Sequence, residues 1–383
     1  MKITVIPEVL GRTLKNFRKL MSKPQFAHFS AYCTGLIAVE KKNIKQIAHA
    51  LPHGDQSSLN RFITQGKWDH ELARNKALTL VKPHIKNAAF ILDDSCAHKT
   101  GEKMEGAAFH YDHLHKRKCF GYSIVTSGYA QKKQFVPFRL AVYQRKESLA
   151  PDSRFMTKNE LALQILEEAL LFQPFRYVVV DAWYTNKIIL RFLFEHKQFF
   201  IGDLKSNRNV TIGKRKKAVA DHCYTTKMEE HVIDNQTYRA YAEDAYLPGI
   251  GKARIIFSQL KRDDGWTDVK YLVTNMFHLT VPQSIHTYLA RHPIEGFHRD
   301  GKQELAFETF HMRKYAGVVT HLACVMISYL LVLLSKITFG MRGTIGEVCR
   351  KIQRKAEKHT LNLFMHCKAN LKVKQQAASF ICC

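Results

Sequence analysis

Between residues 87 and 202, the apolar runs of the sequence follow an order that few folds can satisfy. Three runs with the β-branched and aromatic composition of strands come first, and helix-like and strand-like segments then alternate. A strand followed by a helix and a second strand of the same sheet needs a parallel crossover. The order therefore predicts an α/β fold with a mixed sheet. The strands are expected at 88–94, 119–128, 134–143, 177–181 and 198–202, and the helices at 159–172 and 187–196.

The segment before this core, residues 1–84, has a helical pattern. Apolar residues recur at helical spacing over 44–51, directly after Asn43, a residue type that caps helices. After a turn at 52–55, a second segment directs its polar residues, among them Arg61, outward. The pair predicts a helix-turn-helix DNA-binding domain with Arg61 as a DNA contact, although an ordinary helical bundle accounts for the same spacing equally well.

The segments after the core change character twice. Residues 204–280 contain short strand-like runs at 238–246, 253–258 and 269–274 between polar links, which predict a β-rich insertion. The chain then becomes helical again and ends in a basic tail, where nine Lys and Arg face two Glu over 341–374. This tail suits a helix that faces phosphates or, equally, one that faces solvent. The predicted domains are 1–84, helical; 85–203, first part of the core; 204–280, β-rich insertion; 281–340, second part of the core; and 341–383, basic helical tail.

The charge of the chain is unusual for a globular protein. Lys and Arg number 59 against 33 Asp and Glu, a net charge of +26. Such a protein repels itself unless it binds a polyanion, and nucleic acid fits better than a membrane surface. The nine cysteines include no CxxC pair, which indicates free thiols in a reducing compartment. The adjacent Cys382 and Cys383 are interpreted as an apolar terminus rather than a metal site.

Residues 316–334 are almost wholly apolar and long enough to span a bilayer. Thr320, His321 and Ser328 interrupt the run, and basic residues flank both of its ends without asymmetry. A helix buried in a large core has the same composition. We therefore predict a buried helix and no membrane attachment. The first 17 residues lack the apolar core of a signal peptide, so a cytoplasmic location is expected.

Acidic residues end two of the predicted strands. Asp93 and Asp94 follow Ile91 and Leu92, and Asp181 follows the Val178–Val180 run. Carboxylates at buried strand ends are costly unless cations neutralise them. Neighbouring strand ends of an open sheet meet at one edge, so these acids are expected to share divalent cations, and oxygen ligands select magnesium or manganese. A helix cap is the alternative role for Asp181.

A third acid lies in a segment of alternating charge. Tyr288, Arg291, Glu295 and Lys302 fall on one narrow face at 100° per residue. Pro293 interrupts a continuous helix and is expected in the first turn of a new one. The spacing places a carboxylate beside cations that are able to hold phosphates.

These motifs together resemble those of bacterial insertion-sequence transposases with a DDE catalytic triad. The spacing of Tyr288, Arg291, Glu295 and Lys302 is similar to the YREK signature of that family. The run Asp93-Asp94-Ser95 resembles its first acidic motif, and Asp181-Ala182-Trp183-Tyr184 its second. The helical N-terminal segment, the Leu204–Arg208 run and the predicted insertion extend the resemblance over nearly the whole chain.

The resemblance implies an RNase H-like core that is interrupted by a β-rich insertion. Asp93, Asp181 and Glu295 would hold two Mg²⁺ ions, which Mn²⁺ can replace, for nicking by water and then joining by the free 3′-hydroxyl. The family pattern favours Asp93 as the first ligand, with Asp94 as the alternative and facing the opposite side of the strand.

The resemblance also implies contacts to double-stranded DNA, both the terminal inverted repeats of the element and its target, by a homodimer on paired ends. Arg291 would offer a bidentate fork to phosphate and Lys302 a point charge. Trp266 is the candidate for stacking on a flipped base. The DNA-contacting residues implied are Tyr288, Arg291, Lys302, Lys205 and Arg208, besides Arg61.

Two other interpretations remain at this point. A structure-selective nuclease on the same core would hydrolyse DNA without strand transfer, and the extra YREK groups argue against it. A catalytically silent, transposase-derived DNA-binding protein would be expected to have lost an acid of the triad, and all three are present.

Overall fold

The computed structural model describes residues 6–51, 55–101, 103–112, 117–149 and 154–362. The chain forms two compact units. The first, here called the sheet unit, consists of Lys82–Lys99 and Gly106–Phe297. The second, the helical unit, consists of Met1–Val81, Thr100–Glu105 and His298–Cys383.

The sheet unit is built on one mixed sheet. Its strands pair in the order β2-β3-β1-β5-β6-β13-β11-β10-β7-β8, with β4 beside β3, β9 beside β10 and β12 beside β11. The strands are β1 (Ala89–His98), β2 (Ala108–Asp112), β3 (Arg117–Gln131), β4 (Gln134–Tyr143), β5 (Val178–Val180), β6 (Phe200–Asp203), β7 (Asn209–Ile212), β8 (Arg215–Ala218), β9 (Glu229–Ile233), β10 (Gln236–Leu247), β11 (Gly251–Arg262), β12 (Gly265–Trp266) and β13 (Lys270–Thr274).

Three central strands of this sheet are parallel. β5 pairs with β1 on one side and β6 on the other, in a register that aligns Leu92, Val180 and Gly202. The other pairings are antiparallel, including β6 with β13, which joins the strands of residues 209–274 to the same sheet. The observed sheet is therefore mixed, as the order of apolar runs predicts, and the predicted strands at 238–246, 253–258 and 269–274 correspond to β10, β11 and β13.

The helices of the sheet unit begin at recognisable caps. Thr157 and Glu160 form a reciprocal capping box, Asn186 accepts the N–H groups of Ile188 and Ile189, and Thr280 starts a second capping box. Pro293 lies in the first turn of its helix, as predicted. These helices are α6 (Lys158–Phe172), α7 (Lys187–Glu195), α8 (Val281–Leu289) and α9 (His292–Glu304), of which residues up to Phe297 belong to this unit.

The helical unit contains α1 (Glu8–Leu14), α2 (Lys23–Ala38), α3 (Ile44–Ala50), α4 (Gln56–Gln65), α5 (His70–Val81), α10 (Tyr315–Thr338) and α11 (345–362). Asn43 caps α3 by accepting the Gln46 N–H, which confirms the predicted cap. Asp55 caps α4 in the same way. The pair of helices predicted from the sequence is thus present. Short 3₁₀ helices lie at Lys15–Leu20, Lys82–His84, Lys146–Ser148, Val219–His222 and Thr225–Lys227.

Helix α10 is the apolar segment that is long enough to cross a membrane. Within the described chain, 89% of its most apolar window is buried, because α1, α2, α4 and α5 surround it. Its polar interruptions bond inside the unit: His321 Nδ1 lies 2.7 Å from the Tyr32 hydroxyl, and His321 Nε2 lies 2.9 Å from the Ala306 carbonyl oxygen. Burial of a polar side chain costs little free energy when each of its hydrogen-bonding atoms has a partner. The prediction of a buried core helix is confirmed.

Two predicted features fall outside the described residues. One is most of the turn at 52–55, of which only Asp55 is described. The other is the end of the basic tail, from residue 363 onward, which includes Cys382 and Cys383.

Candidate active site

The parallel pairing brings acidic residues to one level of the sheet, where β5 and β6 end. The predicted end of the first strand at Asp94 is wrong: β1 pairs with β3 as far as His98, so Asp93 and Asp94 lie inside the strand. Since Leu92 aligns with Val180 and Val180 with Gly202, the residues that follow in register are Asp93, Asp181 and Asp203. We call Asp93, Asp94, Asp181 and Asp203 the acid edge. Val178–Val180 are fully buried. A shift in the register of this strand would expose its apolar side chains, so burial fixes the register and with it the position of Asp181.

Three carboxylates of the acid edge form a cluster. One oxygen each of Asp93, Asp94 and Asp181 lies within 4.8 Å of the others. Asp93 is only 7% exposed. The pKa of Asp93 is raised to about 7, because burial and the charges of Asp181 and Asp94 raise it by more than Arg291 lowers it. Burial likewise raises the pKa of Asp181. Such a cluster requires cations to stay ionised.

Arg291 supplies one of these cations. Its Nη2 donates to Asp93 Oδ2 at 2.9 Å, and its Nη1 donates to Glu295 Oε1 at 3.1 Å. One guanidinium therefore bridges two of the three acids that the sequence predicts as a triad. Glu295 lies in the first turn of α9, with 55% of its side chain exposed, and among described residues it is not part of the 4.8 Å cluster.

Lys158, in the first turn of α6, supplies the second cation. Its Nζ donates to Asp94 Oδ2 at 2.5 Å, and Ser123 Oγ donates to the same oxygen at 3.3 Å. Asp94 is expected to face away from Asp93, yet one oxygen of each carboxylate lies within 4.8 Å of the other. The Asp94 N–H also donates to Asp93 Oδ1 at 2.9 Å.

Asp181 is held by the turn that leads into α7. Its Oδ1 accepts the N–H groups of Trp183 at 3.0 Å and Tyr184 at 3.1 Å. Its carbonyl oxygen accepts from Thr185 Oγ1 at 2.7 Å. The sequence left open whether Asp181 caps a helix. The helix cap is Asn186, and the carboxylate of Asp181 orders the turn in front of it.

The donor set fits a hard divalent cation. Carboxylate oxygens are the ligands that Mg²⁺ and Mn²⁺ prefer, and three of them lie within reach of one ion. The positive charges of Arg291 and Lys158 lower the cost of assembling these acids without metal. The arrangement can therefore hold divalent metal where β5 ends beside β1, with Glu295 nearby on α9.

Tyr288 lies near the same carboxylates, since Asp203, Asp181 and Asp93 all act on its hydroxyl. It is buried, and the ammonium group of Lys270 lies 4.7 Å from its ring centre. Lys270 also pairs with Asp203 at 3.4 Å. Burial raises the pKa of Tyr288, and the nearby Asp203 adds to the rise. The hydroxyl therefore stays protonated and is available as a hydrogen-bond donor.

The remaining predicted DNA contacts lie elsewhere. Lys302 belongs to the helical unit, where its Nζ pairs with Glu308 at 3.0 Å. Arg61 is exposed on α4 of that unit. In the sheet unit, Arg239 and Lys261 lie 4.7 Å and 5.6 Å from the ring centre of Trp266. Lys205 and Arg208 line a basic groove beside Asp181.

Sequence reasoning missed three residues at the acid edge. Asp203 follows Phe200, Ile201 and Gly202, the same pattern of an apolar run ending in an acid that identified Asp181. Lys158 had a weaker signal, a cation in the first turn of a helix, where the macrodipole disfavours it. His110 on β2 had none. Burial, together with the neighbouring cations Lys158 and Arg145, lowers the pKa of His110 to about 4.

Two families match the sequence. The family described as DDE superfamily endonuclease matches residues 16–223, more than half of the chain. The family described as transposase DDE domain matches residues 152–331. The two matches together contain Asp93, Asp94, Asp181, Arg291 and Glu295. No curated protein matches the sequence at a significant level.

Proposed function

The chain belongs to the DDE superfamily of endonucleases, and from that membership we propose that it is a metal-dependent DNA transposase. It nicks DNA at the ends of a mobile element and joins the resulting 3′-hydroxyl to a target by a cut-and-paste route. The observation that carries the proposal is the cluster of Asp93 and Asp94 on β1 with Asp181 at the end of the parallel strand β5, one arginine away from Glu295.

Asp93, Asp181 and Glu295 are the proposed catalytic acids, and Mg²⁺ is the proposed metal, with two ions per site and Mn²⁺ as a substitute. Two bound ions would stabilise the attacking and leaving oxygens of an in-line phosphodiester displacement. Asp93 is favoured over Asp94 because it aligns with Asp181 in the sheet and shares a cation with Glu295. Asp94, which Lys158 neutralises, is the alternative ligand.

Arg291 has two proposed roles. In the metal-free protein its guanidinium neutralises Asp93 and Glu295. When DNA and metal arrive, Arg291 exchanges these carboxylates for a phosphate, to which a guanidinium can donate two parallel hydrogen bonds. The Tyr288 hydroxyl and Lys302 are proposed to hold further phosphates, as the YREK spacing implies.

The fold and the charge support the assignment of DNA as the partner. The parallel strands with α6 and α7 would form an RNase H-like core, and residues 204–280 its β-rich insertion. The helix pair α3 and α4, with Arg61 exposed, would form the DNA-binding domain for the terminal repeats. A net charge of +26 supplies strong, salt-dependent attraction to duplex DNA. A homodimer on paired ends and a cytoplasmic location complete the proposal.

The experiment that tests this function uses the full-length protein, linear DNA carrying the ends of its own element and a supercoiled target plasmid. With Mg²⁺ we expect nicks at the element ends and then joined products, and with chelator neither. Hydrolysed ends without joined products under every divalent metal would favour a structure-selective nuclease. DNA binding without any cleavage would favour a silent DNA-binding protein.

A further inference from the structure

Tyr184 is a fully buried tyrosine whose hydroxyl has no hydrogen-bond partner among the described residues. It follows Asp181 in the turn between β5 and α7. A buried hydroxyl without a partner destabilises a protein, because the group has lost its hydrogen bonds to water and gained none in return. A phenylalanine would fill the same space without that loss. The hydroxyl therefore indicates a partner that another state of the protein supplies.

The backbone of the turn holds Tyr184 in place. Its N–H donates to Asp181 Oδ1 at 3.1 Å, and its carbonyl oxygen accepts the Asn186 N–H at 2.9 Å. The side chain packs inside the protein with 0% of its surface exposed. Since neither the backbone nor the ring is free to turn, a partner has to move to the hydroxyl.

The charged groups that act on this hydroxyl are carboxylates of the acid edge. Burial raises the pKa of Tyr184 well above its usual value, and the charges of Asp94, Asp181 and Asp93 add to the rise, in that order. The hydroxyl therefore stays protonated and is able to donate. Carboxylates are strong acceptors for such a donor.

Asp94 is the carboxylate whose present partner a metal ion would disturb. Lys158 Nζ donates to Asp94 Oδ2 at 2.5 Å, whereas Asp94 Oδ1 accepts no hydrogen bond within the described part of the chain. A divalent cation at the acid edge would repel the ammonium group of Lys158 and weaken this ion pair. A hydroxyl can take the place of the ammonium group, because it adds no positive charge beside the ion.

We propose that Tyr184 is a positioning residue of the metal site, and that its hydroxyl donates to Asp94 when the acid edge binds a divalent cation. The proposal rests on the proposed function and adds to it a residue that orders the carboxylates around the metal. Hydrogen bonds from outside a metal site fix the orientation of the groups that surround the ion, and the loss of one lowers metal affinity about 10- to 100-fold.

Tyr184→Phe removes this hydroxyl, and Tyr129→Phe is the matched control. Tyr129 is also buried in the sheet unit, but its hydroxyl donates to the carbonyl oxygens of Ala169 and Gln173, both at 3.1 Å. In thermal unfolding of the full-length proteins in chelator, Tyr184→Phe should melt at or above the temperature of wild type. Tyr129→Phe should melt about 2–4 °C lower, because it loses hydrogen bonds that are made in the fold.

Mn²⁺ affinity should show the opposite order. Each full-length protein, bound to a DNA duplex, would be titrated with Mn²⁺ while free ion is followed by electron paramagnetic resonance, with the duplex alone as the blank. Tyr184→Phe should bind Mn²⁺ at least about tenfold more weakly than wild type, and Tyr129→Phe should stay within about twofold. In an Asp94→Asn background, Tyr184→Phe should add less than about a further twofold, because the two residues act through one contact.

Three results would overturn the inference. One is a Mn²⁺ affinity of Tyr184→Phe equal to that of wild type. Another is a melting temperature of Tyr184→Phe in chelator as low as that of Tyr129→Phe, which would mean that the hydroxyl already has a partner without metal. The third is a full loss of affinity from Tyr184→Phe in the Asp94→Asn background. Failure of wild type to bind Mn²⁺ would instead count against the proposed function.

Discussion

The two halves of the sheet carry opposite charges by different means. In the parallel half, β5 and β6 end beside the middle of β1, so Asp93, Asp181 and Asp203 come together from segments far apart in sequence. In the antiparallel half, the hairpin of β7 and β8 presents Arg215, Lys216 and Lys217 from one continuous run. Its two-residue turn has Gly213 at a φ of +59°, where a residue without Cβ is favoured.

The two halves differ in the free energy that is needed to place their charged side chains. Consecutive cations on an exposed edge strand stay in water and need no partner. Acids at buried strand ends lose their water, as the raised pKa values of Asp93, Asp181 and Asp203 indicate, and each needs a cation. The parallel half is therefore suited to hold metal, and the antiparallel half to hold the DNA backbone.

The largest effect is expected from Asp181→Asn. The amide keeps the shape of the side chain but removes a charged ligand, so cleavage should fall by about 10³-fold or more, while folding and DNA binding persist. Asp203→Asn is the matched control: it lies at the same edge but outside the 4.8 Å cluster. Its cleavage rate should stay within about tenfold of wild type. Equal losses in both variants would mean that the edge acts through stability and not through metal.

The next effect separates Asp93 from Asp94. Asp93→Asn should lower cleavage about as much as Asp181→Asn does, and the loss in Asp94→Asn should be smaller by at least about tenfold. The reason is that Asp94 is paired with Lys158 and not with the cation that also binds Glu295. Single-turnover nicking rates measure this ratio. The reverse order would assign the metal ligand to Asp94.

Arg291→Ala tests whether the bridging arginine serves DNA or metal. Joining of paired ends should fall by about 10²-fold from lost positioning. The Mg²⁺ concentration for half-maximal nicking should change by less than about threefold, since the carboxylates are intact. Arg191→Ala, an exposed arginine paired with Glu195 on α7, is the control and should alter neither. A large change in the Mg²⁺ requirement with normal joining would make Arg291 a metal-site residue instead.

Substitution of cations in the antiparallel half should change the affinity for DNA and not the metal requirement of cleavage. Lys216→Ala should reduce the slope of log affinity against log salt by about 1 and leave the metal requirement unchanged. Binding isotherms at several salt concentrations measure the slope. Lys118→Ala, an exposed lysine on β3, is the control. An unchanged slope in Lys216→Ala would remove this hairpin from the DNA path.

The smallest effect concerns His110, beside Lys158. Its folded pKa of about 4 lies below the usual 6.5, so between these values the unfolded chain binds a proton that the fold does not. Stability should therefore be complete above pH 6.5 and fall toward pH 4, by about 1–2 kcal/mol after allowance for solvent. His110→Gln should remove this part of the pH dependence in urea unfolding. The same slope in the variant would assign it to another group.

The sequence predicts the central strands and helices because their signals are local. The run before Asp181 is apolar whatever its neighbours are, and the Asn43 and Pro293 positions follow from capping and from the lack of an N–H. The strands β2, β7, β8, β9 and β12 were not predicted. They are short or polar, and pairing with a longer neighbour, not their own composition, makes them strands.

The candidate site also has one part that the sequence predicts and another part that only the structure shows. Two acidic strand ends were visible because each follows an apolar run, and Asp203 shows the same pattern. The contact of Lys158 with Asp94 joins residues 64 positions apart and depends on how α6 packs on the sheet. The bridge from Arg291 to Asp93 spans 198 positions. Residue spacing within a single segment cannot predict contacts between residues so far apart in sequence. Only the folded structure shows them.

The central claim is that the acid edge holds divalent metal, and binding of Mn²⁺ tests it most directly. Full-length wild type and Asp181→Asn, each bound to a DNA duplex, would be titrated with Mn²⁺ while free ion is followed by electron paramagnetic resonance. We expect wild type to bind Mn²⁺ at the acid edge and the variant to lose at least one ion per chain. Identical Mn²⁺ binding by the two proteins would contradict it.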